Sequence, residues 1–341
     1  MSERDPPRQN EWLSLFELPE PLVEVAVRTC RGFNTLLDAI FYDVPTLTRE
    51  LIGKDQVAHS RDEKAPSRII DFDALSDPEG SLLLIDAAKP PYVHRYKDMR
   101  LYLESPHPET REVTIATITG VGSSALGSAA LAWDISVALR QSVLAIVPGY
   151  GVADVVMQGL GGWFGFGLYN ALNAKSVIQD GLTVAAPRTA RIGRKLSASA
   201  PGAETNNGGP VFRFGSGSSD VLHALLEYRE PPFKLLIGHS KGALQIGNAI
   251  ESLAAERTQG MNVVTLGCPI AETVKGVSYH QYLGLYDALG QLNAWGNRPE
   301  YWPATWHSTN PMLPPAMAAG RLTEDSVPAQ PAFAQKPEPP L

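Results

Sequence analysis

Between Val113 and Leu266 the sequence repeatedly exchanges a strand-like pattern for a helix-like one, and that alternation constrains the fold more than anything else in the chain. Val113 to Thr119 is a β-branched run ending in Gly120-Val121-Gly122, Leu126 to Arg140 is an Ala-rich helical stretch, and Ser142 to Val147 is an apolar run stopped by Pro148-Gly149. Farther on, Asp220 to Tyr228 reads as helix, Phe233 to Ile237 as strand, Lys241 to Glu256 as helix and Asn262 to Leu266 as strand. Strands that return after helices need crossover connections, so the pattern predicts an α/β protein with helices flanking a mostly parallel central sheet. Four more strands are expected at Ser81 to Asp86, Met99 to Glu104, Tyr279 to Tyr286 and Tyr301 to Trp306.

The flanks read differently. Leu22 to Val44 has a helical period, with Phe33, Leu36, Leu37, Ile40, Phe41 and Val44 on one stripe and Pro45 closing it. Residues 53 to 80 are polar and broken by Gly53, Pro66 and Pro78, as loops are. Val327 to Leu341 carries five prolines and no period. The expected organisation is therefore a helical N-terminal extension over 1–80, an α/β domain over 81–320 with an insertion at about 149–212, and a Pro-rich disordered tail over 321–341. No repeat recurs at a fixed period.

The formal net charge of -7 argues against a nucleic-acid partner, whose binding rests on clustered cations. Cys30 and Cys268 are far apart and have no metal-type spacing, so neither a disulfide framework nor a zinc site is expected, and no cofactor or metal is called for. Met1 to Trp12 is polar and lacks the apolar core of a secretory signal, so the expected location is cytoplasmic.

The chemistry centres on Gly238-His239-Ser240-Lys241-Gly242, which follows the apolar run Phe233 to Ile237 and precedes a helix with Ile246, Ala249, Ile250 and Leu253 on one face. A serine on a sharp strand-to-helix turn needs small residues two positions away on each side, since a Cβ there would strike the adjoining strand or helix. The turn also sets its hydroxyl at a helix N-terminus, where backbone N–H groups favour developing negative charge. The plainer reading is a glycine-bounded turn whose serine caps the helix. This pentapeptide in this setting resembles the α/β-hydrolase superfamily, and Gly-His-Ser its lipase and esterase branch. Leu266-Gly267-Cys268-Pro269 is similar to a segment of class 3-type lipases, and the resemblance spans roughly residues 113 to 310. It departs at Lys241, where that branch more often has a neutral side chain. The resemblance implies an α/β-hydrolase fold with a cap or lid insertion and a serine nucleophile.

A serine hydroxyl needs a base to take its proton and a carboxylate to orient that base. In the superfamily the chain order is Ser, acid, His, and only His280 and His307 lie beyond Ser240. His280 falls within an expected strand, with too little chain before it for an acid. His307 ends the aromatic run Tyr301 to Trp306 and enters the loop Ser308-Thr309-Asn310-Pro311, where a base belongs. Asp287 follows Tyr282-Leu283-Gly284-Leu285-Tyr286 at the carboxyl end of a strand and is the preferred acid, with Glu272 the alternative. The oxyanion hole would use the backbone N–H of Lys241 and that of Val121, or of Gly122 beside it, in the loop after an earlier strand. A dinucleotide turn is the competing reading of that loop, but Gly120, Gly122 and Gly127 miss the G-x-G-x-x-G spacing.

Within the insertion, Val155 to Ala174 is uncharged and mixes Trp163, Phe164, Phe166 and Tyr169 with five glycines. Such a wall favours an apolar acyl group. Residues 188 to 210 then turn basic and polar, as a surface loop does. The expected function is hydrolysis of a small-molecule or lipid carboxylic ester through an acyl-enzyme, with transient contact to a lipid surface. Acyl transfer by the same triad and a non-catalytic partner-binding scaffold are the alternatives.

Overall fold

A computed structural model describes residues 35–61, 80–96, 99–120, 122–148, 217–251, 253–270, 273–294 and 297–327, together with Val25. Seven strands form one sheet: β1 (Leu82–Ile85), β2 (Val93–Tyr96), β3 (Ile115–Ile118), β4 (Val143–Ile146), β5 (Leu235–His239), β6 (Asn262–Leu266) and β7 (Ser278–Tyr282). Their spatial order is β2-β1-β4-β3-β5-β6-β7. Strand β1 runs antiparallel to both β2 and β4, and the pairs from β4 through β7 are all parallel. The molecule is thus an α/β protein with a mostly parallel mixed sheet.

Two layers of helix cover the sheet, each matched to one parity of the strands. On one face Leu83, Ile115, Val143, Ala145, Leu235 and Ile237 pack against α4 (Ala125–Leu139) and against Leu47 and Leu51 of α1 (Val44–Arg61). On the other, Leu82, Leu84, Ala116, Ile118, Leu144 and Leu236 pack against α5 (Gly217–Tyr228) and α6 (Lys241–Ile250). The crossover after β3 therefore lies on the opposite face from the helix after β5, although β3 and β5 are neighbours. Their carboxyl ends open a crevice at this switch point, the place where open α/β sheets bind ligands.

Several expected elements differ. Pro45 does not close a helix: a helical segment over 35–41 ends before it, and Pro45 lies in the first turn of α1, where its missing N–H costs nothing. The expected loop from 53 begins inside α1, which continues to Arg61. The expected stripe holds only in part: Phe41 and Val44 pack against the core, but Leu36 and Ile40 are exposed while Asp38 and Tyr42 are buried. Met99 to Glu104 is not a strand but α2 (Met99–Leu103), followed by α3 (Pro108–Glu112). The helix after Ser240 stops at Ile250, and a separate turn, α7 (Ala255–Thr258), precedes β6.

Strand β7 ends at Tyr282, and Tyr301 to Trp306 contributes a single bridge, Tyr282 to Tyr301, rather than a strand. Helix α8 (Ala288–Ala294) follows β7. The ordered chain also passes the expected tail boundary: α9 (Ala319–Ser326) packs on α4, and Gly320 N–H donates to Asp134 at 2.8 Å. The insertion over 149–212 and the segment 328–341 lie outside the described residues. Among the described residues no helix is long and apolar enough to cross a membrane.

Candidate active site

The turn after β5 carries backbone strain where the sequence pattern demanded a sharp bend. Ser240 has φ 53° and ψ -130°, an uncommon conformation for a residue with a Cβ. Its N–H donates to Leu266 O at 2.7 Å and its carbonyl accepts from Ala243 N–H at 3.0 Å, so neighbouring elements hold the strained residue on both sides. The flanking glycines have definite causes. A Cβ on Gly238 would lie 2.4 Å from the Ala243 Cα in α6, and one on Gly242 would lie 2.1 Å from the Ile118 carbonyl oxygen of β3. No side chain fits either place.

The two side chains expected as base and acid meet. His307 Nδ1 and Asp287 Oδ2 are 2.8 Å apart, and both side chains are almost fully buried. Asp287 precedes α8, and its Oδ1 accepts from Gly290 N–H at 2.5 Å, which fixes the carboxylate as a helix cap does. A Cβ on Gly290 would approach Asp287 Oδ2 to 2.3 Å. Gly267, at φ +75°, lies so close to the His307 ring that a Cβ there would be 3.0 Å from it. Gly267 thus lies against both members of the His307–Asp287 pair. Buried Cys268 is pushed up to about 12 by desolvation and by the charge of Asp287, so it stays a thiol.

Ser240 and His307 line one pocket, with Gly120, Gly122, His239, Leu289 and the residues Leu37, Asp38, Phe41 and Tyr42. A Cβ on Gly120 would stand 3.0 Å from the Ser240 Cβ, so this glycine lets the loop after β3 approach the serine. Gly122 has φ +85°. Lys241 is the first residue of α6, and its side chain is buried. Val121 and Glu272 lie outside the described residues. His280 sits on β7 opposite Val264, away from this pocket.

Three buried residues near the serine were not expected. His239 Nε2 is 2.8 Å from His307 O, and its Nδ1 is 2.8 Å from Tyr42 Oη. Burial, and next the nearby His307, push His239 down to about 3, so the ring is neutral. The hydroxyl of Tyr42 also accepts the Gly120 N–H at 2.9 Å. That N–H is therefore engaged within the protein. Asp38 accepts from Ser124 N–H at 2.9 Å, from Ser124 Oγ at 2.5 Å and from Gly127 N–H at 3.2 Å, while its Oδ1 has no hydrogen-bond partner among the described residues. Desolvation outweighs those bonds and raises Asp38 to about 6. With a carboxylate at the start of α4, a pyrophosphate has no place there, which argues against the dinucleotide reading.

A larger cleft lies at the antiparallel edge, lined by Leu84, Asp86, His94, Tyr96, His107 and Glu109 among others. Asp86 there is committed to Ala88 N–H, Lys89 N–H and Ser142 Oγ, so the hydroxyl of Ser142 in this lining donates to a carboxylate. Chemistry, not size, selects the pocket at Ser240. Comparison with protein-family models, curated proteins and solved structures finds no match to this chain.

Proposed function

We propose that the protein is a serine hydrolase of α/β-hydrolase type that cleaves carboxylic esters through an acyl-enzyme. The observation that carries this reading is the buried 2.8 Å hydrogen bond between Asp287 and His307, whose ring lines the same pocket as Ser240 on its strained turn. Ser240 Oγ attacks the ester carbonyl as His307 Nε2 takes its proton. Asp287 keeps the Nδ1–H tautomer and stabilises the imidazolium that forms. The tetrahedral oxyanion is received by backbone N–H groups at the start of α6 and in the loop after β3. The leaving alcohol takes the proton from His307, and water repeats the sequence on the acyl group. The chain order Ser240, Asp287, His307 and the place of the serine after β5 beside β3 support the same reading.

The test is turnover of aryl esters graded from acetyl to long acyl chains. Wild-type protein is expected to hydrolyse at least one, and Ser240→Ala and His307→Gln to lose roughly 10³-fold or more in kcat. Equal turnover by Ser240→Ala would remove the proposal.

A further inference from the structure

The residues just before α1 join the two loops on which this chemistry depends. On one side, the Asp38 carboxylate holds Ser124 and Gly127 at the start of α4, directly beyond the loop after β3. On the other, three successive carbonyls of the same segment receive the residues that follow the base. Ser308 Oγ donates to Ile40 O at 2.6 Å, Thr309 N–H and Oγ1 donate to Phe41 O at 2.9 and 2.8 Å, and Asn310 Nδ2 donates to Ala39 O at 2.6 Å. Phe41 also meets the His307 ring edge-on, with centroids 5.7 Å apart.

Tyr42 closes the connection, and the chemistry of its partners fixes the direction of every bond. A backbone carbonyl only accepts, so His239 must donate Nε2–H to His307 O. A neutral imidazole with its proton on Nε2 accepts at Nδ1, so Tyr42 Oη–H donates there. The Tyr42 oxygen is then left to accept the Gly120 N–H. The result is one ordered relay from Gly120 through Tyr42 and His239 to the backbone of His307.

We infer that residues 35–42 form a strap that sets the oxyanion loop against the base loop, with Tyr42 as its positioning residue. The inference rests on the hydrolase reading for its catalytic consequence but not for the relay itself. Tyr42 touches no substrate in this account. Its hydroxyl holds Gly120 and, through His239, the His307 backbone, so that the serine, the base and the oxyanion donors keep one mutual geometry. A displacement of order 1 Å among such groups costs about 10²-fold in rate.

Tyr42→Phe in the full chain isolates the hydroxyl, because the ring can keep its edge-on packing against His239. Two readouts are needed. In ¹⁵N imidazole spectra, wild-type His239 is expected in the neutral Nε2–H form, and Tyr42→Phe is expected to shift the resonances of both His239 and His307. With an aryl ester, Tyr42→Phe is expected to lower kcat about 10- to 100-fold while KM changes less than about threefold. Leu36→Ala, on the exposed side of the same segment, is expected to alter neither readout.

A wild-type His239 protonated on Nδ1, or His307 resonances unmoved by Tyr42→Phe, would overturn the relay whether or not the protein hydrolyses esters. A kcat unchanged in Tyr42→Phe, with only thermal stability lost, would overturn the positioning role. Wild-type protein without turnover, but with the expected tautomer and shifts, would uphold the relay and remove the hydrolase reading instead.

Discussion

The turn around Ser240 and the loop around His307 reach their places by different means. The turn is local: two glycines, one strand end and one helix start define it, and the decisive clashes are with Ala243 and with Ile118 on the adjoining strand. The loop is held from a distance, by hydrogen bonds to residues 39–41 that lie more than 260 positions earlier in the chain. A turn built from backbone geometry tolerates almost no change of residue. A loop held by side-chain hydrogen bonds can be loosened by degrees. The two regions should therefore fail differently when altered.

The largest effect is expected at Gly242. Its Ala variant places a Cβ against a strand carbonyl that cannot move aside, and should lose at least ~4 kcal/mol or fail to fold, as read by denaturant midpoint. Next is Asp287→Asn, which leaves the loop packed but presents His307 with the wrong partner. On the proposed mechanism kcat falls by about 10⁴ while the fold persists. Collapse of the fold in that variant would break the contrast drawn between the two regions.

A third test is Asp38→Asn, followed by unfolding free energy against pH. Asp38 is raised from 3.8 to about 6 in the folded protein, so the native state binds more protons than the unfolded chain across that window. Its stabilising contribution is complete below about pH 4 and is lost as pH rises through about 6. The loss is on the order of 3 kcal/mol. His239, pushed down to about 3, acts in the opposite sense, its contribution being lost as pH falls below the ordinary histidine range. The difference between wild type and Asp38→Asn removes that background and should slope only between about pH 4 and 6. A flat difference would show that Asp38 is not the buried acid described.

Smaller changes sharpen the comparison. Ser308→Ala removes the donor to Ile40 O and the acceptor of Asn310 N–H, and should cost about 1–3 kcal/mol in thermal or denaturant unfolding while leaving the turn at Ser240 intact. Gly53→Ala, inside α1 with no atom within 4 Å of the added Cβ, should stabilise by about 0.5–1 kcal/mol. A glycine in open helix and a glycine in the turn at Ser240 then respond with opposite sign.

What could be read from the sequence follows the same division. Strands β3 to β6 and the glycines around Ser240 were legible because their causes lie within a few residues. Asp287 and His307 were singled out through chain order, although nothing local distinguished them, and the structure brings their side chains together. Met99 to Leu103 was misread because five residues with alternating apolar side chains fit a helix turn as well as a strand; the buried Tyr102, whose hydroxyl donates to Thr110 O, decides it. Tyr301 to Trp306 follows the 281–286 segment through bonds such as Leu285 N–H to Pro303 O and Tyr286 N–H to Thr305 O. Pro303 has no N–H to return, so no regular ladder forms.

Asp38 and Tyr42 were not legible at all. The helical period placed Leu36 and Ile40 inward, whereas the Tyr42 hydroxyl and the Asp38 carboxylate find their partners 78 to 197 residues away. An acid and a tyrosine four positions apart on an otherwise apolar segment were the available signal, and only long-range contacts give it meaning.

The central claim is that Ser240 is an activated nucleophile, and covalent labelling of the folded protein by a fluorophosphonate tests it most directly. The account predicts one adduct per chain by mass spectrometry, on the peptide containing Ser240, lost in Ser240→Ala and strongly slowed in Asp287→Asn. Folded wild-type protein that takes no adduct, or takes it on another serine, would contradict it.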